Sequence, residues 1–435
     1  MTLRNASTAT LGRFLAVVTG LIFLVGCGSS SGGGGSTPTP VANTVAVEVN
    51  SGPANNAVNM AFVDVTICMP GTTTCQTISN IELDTGSSGL RVLSSAPNFS
   101  TLASSLPTIT ESGTTNVLQE CVQFADTSYV WGPVAVADVK MAGEKASSVP
   151  IQIISASPTF AVPSSCLSLG NPGPTGNLNT VAALGGNGIL GIGNFPQDCG
   201  PDCAGGNTFS GYPYYLCPGG VCGFATVPLA NQVWNPVVLF AQDNNGVLVS
   251  LPAIPAGGQA TVSGSLIFGI GTQSCSGTPL GCSSNALGSA QVYATDASGN
   301  IQTTYNSVAY PGFFDTGSTG FYFLDATTLA STGIIECSDA PGWYCPSSPV
   351  SLTVTNTGTN GTSGPLTFSI GNADALFGNL AFTAFNDLGG DSGTGVSTDY
   401  ADFGMPFFYG KNVFVGIMGT TAPSGVSATY GYYAF

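Results

Sequence analysis

Read for its hydrophobic and polar positions, the chain is a succession of short strands. Runs rich in Val, Ile, Thr, Phe and Tyr alternate with clusters of Gly, Pro, Asn and Ser, and no long amphipathic helix with capping residues appears. Thr44 to Val49 opens the series. Ala61 to Cys68, the loop Met69 to Thr74 and the return run Cys75 to Ile78 predict a hairpin closed by its two cysteines, which continues through Asn80-Ile81-Glu82-Leu83 to Asp84. A second hairpin is predicted from Leu118 to Phe124, a turn through Ala125 to Ser128, and Tyr129 running on to Val139. Gly188 to Gly193 is an apolar run punctuated by glycine, and Gly264 to Gly269 is another strand. Helical spacing is best between Pro228 and Gln242, where Leu229, Val233, Trp234, Val237, Val238 and Phe240 fall near one face, although Pro236 limits it.

The N-terminus differs in kind. Arg4 and Arg13 precede the apolar run Phe14 to Phe23 without an acidic residue, and Leu24-Val25-Gly26-Cys27 follows, so residues 1–26 read as a secretory signal. Leu-Val-Gly-Cys resembles the bacterial lipobox, which implies lipidation at Cys27. Residues 27–43, rich in Gly, Ser, Thr and Pro, have almost no side chain able to pack and read as a flexible tether. Gly28 directly after the cysteine resembles lipoproteins sent to the outer membrane, so the expected location is the bacterial cell envelope, periplasmic or surface face. About 390 residues remain, too many for one core and suited to two lobes. The divisions expected are an N-terminal β lobe over 44–260, carrying a Cys-rich insertion at 196–224, and a C-terminal β lobe over 261–435.

Thirteen cysteines are present. Setting Cys27 aside leaves an even dozen, which in an exported chain implies disulfides. Cys68 with Cys75, Cys275 with Cys282, Cys337 with Cys345 and Cys121 with Cys166 are the expected pairs. Cys199, Cys203, Cys217 and Cys222 can pair nested or sequentially, and as four thiolates they also make a legitimate zinc set. An oxidising compartment favours disulfides, so no metal and no cofactor is expected.

One phrase occurs twice. Asp84-Thr85-Gly86-Ser87 and Asp315-Thr316-Gly317-Ser318 each follow an apolar run and each continue into Ser or Thr, then Gly. A single Asp-Thr-Gly is ordinary turn chemistry. Two copies in matching contexts predict something more: two turns, each holding a carboxylate by backbone N–H groups and a hydroxyl, brought face to face on one water. Carboxyls about 3 Å apart cannot both ionise, so such a pair shares a proton, one acting as base and the other as acid.

With these residues in hand the order of features resembles a pepsin-like aspartic peptidase from about Thr44 to Phe435. Asp84 to Ser88 resembles the first active-site loop and Gly188-Ile189-Leu190-Gly191 the motif that braces it. Gly264 to Gly269 resembles the strand into the second lobe, and Asp315 to Thr319 the second active-site loop. Phe403 to Phe408, with Val413 to Ile417, stands where the family has its closing Leu-Gly and terminal strands. The resemblance implies a mostly β, bilobal fold of double-ψ-type lobes with a central cleft and few short helices. It also implies catalytic Asp84 and Asp315, supporting Thr85, Gly86, Ser87, Thr316, Gly317 and Ser318, and a mobile flap at the hairpin 122–134. Phe124, Tyr129 and Trp131 are the candidates for the flap aromatic. The sequence departs from the family after the first loop, where Arg91 replaces the usual aromatic; a cation there can pair with an acid, stack on a flap aromatic or depress a carboxyl pKa.

Composition then narrows the chemistry. Histidine is absent, which removes Ser-His-Asp and Cys-His catalysis and His-ligated metals. Outside the leader only Arg91, Lys140, Lys145 and Lys411 face 22 acids, a surface that repels phosphate backbones and excludes nucleic acid as a partner. Two functions remain: an envelope-anchored aspartic endopeptidase, monomeric, taking a peptide or protein in the cleft and touching the membrane through the Cys27 lipid; or a non-catalytic binding module of the same fold for an envelope peptide, glycan or protein.

Overall fold

The computed structural model describes residues 39–167, 176–205, 213–275, 277–392 and 400–435. The leader, Cys27 and most of the tether lie outside these residues. Val41 and Asn43, at the tether's far end, are already docked. The Val41 N–H donates to Gln273 Oε1 at 3.2 Å. The buried Asn43 side chain donates to the carbonyls of Phe268 and Ser283 at 3.2 and 3.1 Å.

Pro40–Phe435 is one compact unit made of two β lobes. The strands of the first lobe close on themselves. From Ala61–Cys68 the order runs through Cys75–Asp84, Gly188–Ile192, Ser88–Leu93, Glu144–Ile154 and Tyr129–Met141, whose far end pairs back to Ala61–Cys68 through Thr66 with Lys140. The second lobe is a seven-stranded sheet in the order Ser363–Ile370, Val350–Thr357, Ile301–Tyr305, Val308–Phe314, Ala401–Phe403, Phe321–Phe323 and Gly389–Gly390. Between them runs a sheet drawn from both halves of the sequence: Thr44–Val49, Val262–Phe268, Gly246–Ser250, Asn412–Gly416, Tyr432–Ala434 and Val292–Ala294. The predicted strands at 44–49, 61–68 and 188–192 are present, with alternating burial where one face meets solvent and continuous burial in Gly188–Ile192.

Local chemistry explains how each aspartate is delivered. In Cys75–Asp84 the burial alternates up to Asn80, which adopts a left-handed φ of 56°, and every residue from Ile81 onward is buried. Asn tolerates that conformation. The pairing register with Ala61–Cys68 slips at the same place, a β-bulge that re-aims the strand. In the second lobe Ile301–Tyr305 and Val308–Phe314 are joined by Asn306 and Ser307, both with positive φ, the two-residue hairpin turn whose twist matches its strands.

The helix expected between Pro228 and Gln242 is not there. Two 3-10 turns, Leu229–Asn231 and Pro236–Leu239, replace it. Asn235 accepts from the Val237 N–H as a cap and Pro236 occupies the first helical position, so the local chemistry starts a new turn where a continuous helix would have to pass through. The four expected disulfides are formed, and the open quartet pairs sequentially, Cys199 with Cys203 and Cys217 with Cys222. The zinc alternative is thereby corrected, because the four sulfurs are taken up in two separate disulfides.

Candidate functional site

The two Asp-Thr-Gly-Ser loops meet at the lobe interface, and their threonines lock them. Thr85 Oγ1 donates to the Phe314 carbonyl at 2.9 Å and accepts from the Thr316 N–H at 3.0 Å. Thr316 Oγ1 donates to the Leu83 carbonyl at 2.5 Å and accepts from the Thr85 N–H at 3.1 Å. Both threonines are buried. Four reciprocal bonds therefore fix one loop against the other, two of them to backbone N–H groups in the turns and two to carbonyls of the strands that lead into them.

The lock sets the carboxyls. Asp84 Oδ1 accepts from the N–H groups of Gly86 at 2.8 Å and Ser87 at 3.1 Å, and the Ser87 hydroxyl donates to Asp84 Oδ2. Asp315 Oδ1 accepts from Gly317 at 2.7 Å and from the same Gly86 N–H at 3.0 Å, while the Ser318 hydroxyl bonds Asp315 Oδ2 at 2.9 Å. One N–H thus touches both acids. A β-carbon on Gly86 would lie 2.4 Å from the Asp315 carboxyl carbon, and one on Gly317 would lie 2.7 Å from Asp84 Oδ1, so both positions need glycine for the acids to face each other. Burial, then the neighbouring Asp84 carboxyl, holds Asp315 well above the usual carboxylate range.

Two strands brace the loops from behind, one with glycines within it and the other followed directly by Gly404. Gly188–Ile192 runs parallel to Cys75–Asp84, and Ala401–Phe403 runs parallel to Val308–Phe314. A β-carbon at Gly191 would strike Ser87 Oγ at 2.7 Å, and one at Gly404 would strike the Gly320 carbonyl at 2.2 Å. Beneath the second loop Phe314 packs against Phe407 and Phe403 with ring centroids 4.4 and 5.1 Å away. The buried Asn59, from the first lobe, donates to the carbonyls of Thr319 and Phe385 at 2.8 and 2.9 Å and accepts from Phe385 N–H and Tyr409 OH. It ties the second loop to the opposite lobe with its side-chain oxygen and amide nitrogen both engaged.

Arg91 takes the first of its three possible uses. It is buried in Ser88–Leu93 and its guanidinium donates to Glu120 at 3.0 Å, Asp198 at 3.1 Å and the Ser88 carbonyl at 2.9 Å. Tyr214 OH donates to Asp198 at 2.6 Å. Burial pushes Glu120 up, against the opposing pull of Arg91. The cation therefore fastens the loop to the base of the hairpin that carries Glu120, and it stacks on none of Phe124, Tyr129 and Trp131.

That hairpin exists as Gln119–Gln123 with Tyr129–Met141. Tyr129 and Trp131 are buried in a separate cluster with the Cys121–Cys166 disulfide and Tyr215, the Trp131 and Tyr215 rings meeting edge to face at 5.4 Å. Of the three aromatic candidates only Phe124, at the turn, packs toward the main core. Asp126 at the tip raises Glu82, Tyr322 and Tyr400 by its charge, placing the tip within electrostatic reach of both loops. A cavity of about 470 Å³ lies alongside, lined by Thr85 to Ser87, Val122 and Gln123 of the hairpin, and Phe313 and Tyr433 of the second lobe.

Two more acids belong to the site although no motif marked them. Glu82, two positions before Asp84, is buried and raised by burial and by Asp84, Asp315 and Asp126 in that order. Asp402, two positions before the bracing Gly404, is buried against the Ser318 hydroxyl.

Two β lobes, each presenting an Asp-Thr-Gly-Ser loop, with the two carboxyls held by one shared N–H, define a bilobal β protein with a facing pair of aspartates. The chain belongs to the family described as "Protein of unknown function (DUF3443)", whose model matches residues 39–435. Among solved structures it is similar to the aspartic proteinase from Irpex lacteus, at 14% identity and a TM-score of 0.44, over 90% of this chain and 96% of that one. No curated protein matches.

Proposed function

We propose that the chain is an aspartic endopeptidase that hydrolyses peptide bonds with water activated between Asp84 and Asp315. The observation that carries this reading is the Gly86 N–H donating to both carboxyls, with the threonine lock holding the loops in that relation. Such a pair shares one proton, which burial and the neighbouring carboxyl favour on Asp315. The ionised partner takes a proton from water and the protonated one donates to the scissile carbonyl oxygen; the tetrahedral adduct then collapses with cleavage of the C–N bond as the first gives its proton to the leaving nitrogen and the second takes back a hydroxyl proton. An extended peptide lies in the cleft beneath the 119–141 hairpin. The leader and Cys27 make the envelope, through a lipid anchor, the site of action.

The test is cleavage of a mixed peptide library by the full chain from about pH 3 to 7, with and without a statine-type inhibitor. Asp84→Asn and Asp315→Asn each remove an acid–base group whose contribution is about 10²- to 10⁴-fold, so cleavage falls by at least that much while the melting temperature holds. A folded chain that cleaves nothing at any of these pH values refutes the endopeptidase and leaves the cleft as a binding groove for an envelope peptide, glycan or protein.

A further inference from the structure

Ser318 has one hydroxyl proton and two carboxyl neighbours. Its Oγ stands 2.9 Å from Asp315 Oδ2 and 2.5 Å from Asp402 Oδ2. A hydroxyl can donate to only one of them. Were both carboxyls ionised, the second contact would set two negative oxygens against each other in a buried site, so one of the two acids must be the donor to Ser318. We propose that Asp402 is a positioning residue that shares a proton with Asp315 through Ser318, so that the charge on Asp402 decides whether the Ser318 hydroxyl supports Asp315. This rests on the reading of Asp84 and Asp315 as the acid pair.

The surroundings of Asp402 disfavour a charge on it. Asp402 lies in a three-residue strand, all buried, between Val308–Phe314 and Phe321–Phe323, paired with Phe313 on one side and Tyr322 on the other. Its Oδ1 accepts no hydrogen bond. Among the described residues the titratable groups that face it are Asp315 and Asp84 together with the phenols of Tyr322, Tyr400 and Tyr433, and no cation is among them. Burial, then Asp315, holds Asp402 well above the ordinary range. In the neutral form Asp402 donates to Ser318 Oγ and Ser318 donates to Asp315. When Asp402 ionises, the Ser318 proton turns to it, and Asp315 faces a new negative charge without its hydroxyl donor. Both changes make Asp315 keep its own proton to higher pH, which extends the one-proton state of the pair upward.

Carboxyl-carbon NMR titration of the full chain with labelled aspartate reads this without any substrate. Asp402→Asn keeps a donor to Ser318 and cannot ionise, so the Asp315 midpoint should fall by about one pH unit, a tenfold change in proton affinity. In a Ser318→Ala background the same substitution should move it by less, because only the bare charge remains. An Asp315 midpoint unmoved in Asp402→Asn overturns the proposal. Ser318→Ala alone breaks the bridge from the other side, and an unmoved Asp402 midpoint there overturns it equally, even if Asp402→Asn does not fold. Where the chain cleaves peptide, the alkaline limb of kcat/KM should shift to lower pH in Asp402→Asn, a change in the pH profile that a purely structural role would not produce. Absence of cleavage at every pH counts against the endopeptidase, and the titration still decides the role of Asp402.

Discussion

Replacing Thr316 by Val tests the lock between the loops. The substitution keeps the branched shape and deletes the hydroxyl, which donates to the Leu83 carbonyl and accepts from the Thr85 N–H. Thr316 is fully buried, so no water replaces either partner. Each stranded backbone group costs about 1–3 kcal/mol, so the variant loses about 4 kcal/mol. The unit Pro40–Phe435 has an unfolding entropy of about 0.8 kcal/mol/K, at about 2.1 cal/mol/K per residue. Its lobes share a sheet, so it is expected to melt as one, and 4 kcal/mol then lowers its melting temperature by about 5 °C. Thr316→Ser keeps the hydroxyl and loses a methyl, about 1 kcal/mol and about 1 °C. The assay is differential scanning calorimetry with the disulfides intact. Thr85→Val deletes the other two bonds of the same network, so the double variant should fall by less than the sum of the two, since breaking one half of the lock already loosens the other. If Thr316→Val melts within about 1 °C of the parent, the four bonds do not hold the loops together and the geometry of the acid pair must come from elsewhere.

Two further substitutions probe the acids around the pair. Arg91→Met strands Glu120 and Asp198 without their cation, a loss of about 3–5 kcal/mol at neutral pH that shrinks on acidification as Glu120 takes up a proton; a penalty equal at both ends of the pH range, read from melting curves, would contradict this. Glu82 has a folded-state pKa raised above its unfolded value of about 4.3. The native state therefore binds more protons than the unfolded chain above that value, and the stability this group contributes is complete in acid and lost as pH rises through its folded pKa. Glu82→Gln should raise the melting temperature at neutral pH and leave it nearly unchanged in acid; parallel pH curves for parent and variant would reject the assignment.

The aspartate loops, the bracing glycines and three of the four expected disulfides were legible in the chain because each is local: a turn phrase, a close approach, two cysteines seven or eight residues apart; the fourth, Cys121–Cys166, spans 45 residues. Asp402 and Glu82 were not. Each is one acid inside an apolar run, Ala401-Asp402-Phe403 and Ile81-Glu82-Leu83, and only the strand pairing shows that it points at the pair. Arg91 stood out as a departure from the family pattern, yet its partners come from segments 29 and 107 residues away, which no periodicity encodes. Tyr129 and Trp131 looked equivalent to Phe124 until the Cys121–Cys166 disulfide drew them into a second cluster. The predicted helix at 228–242 failed because apolar spacing ignores what Asn235 and Pro236 do to the backbone.

The threonine lock also dates the acid pair. Thr85 finds its acceptor at Phe314, 229 residues later, and Asn43 finds Phe268 after 225. At about 5–20 residues per second of synthesis, the first loop exists for roughly 10–50 s before its mate has been made. Over that interval there is a single Asp-Thr-Gly-Ser turn with nothing opposite it. A growing chain therefore carries no centre able to cut itself, and the hydrolytic chemistry proposed for it begins only once both halves are present.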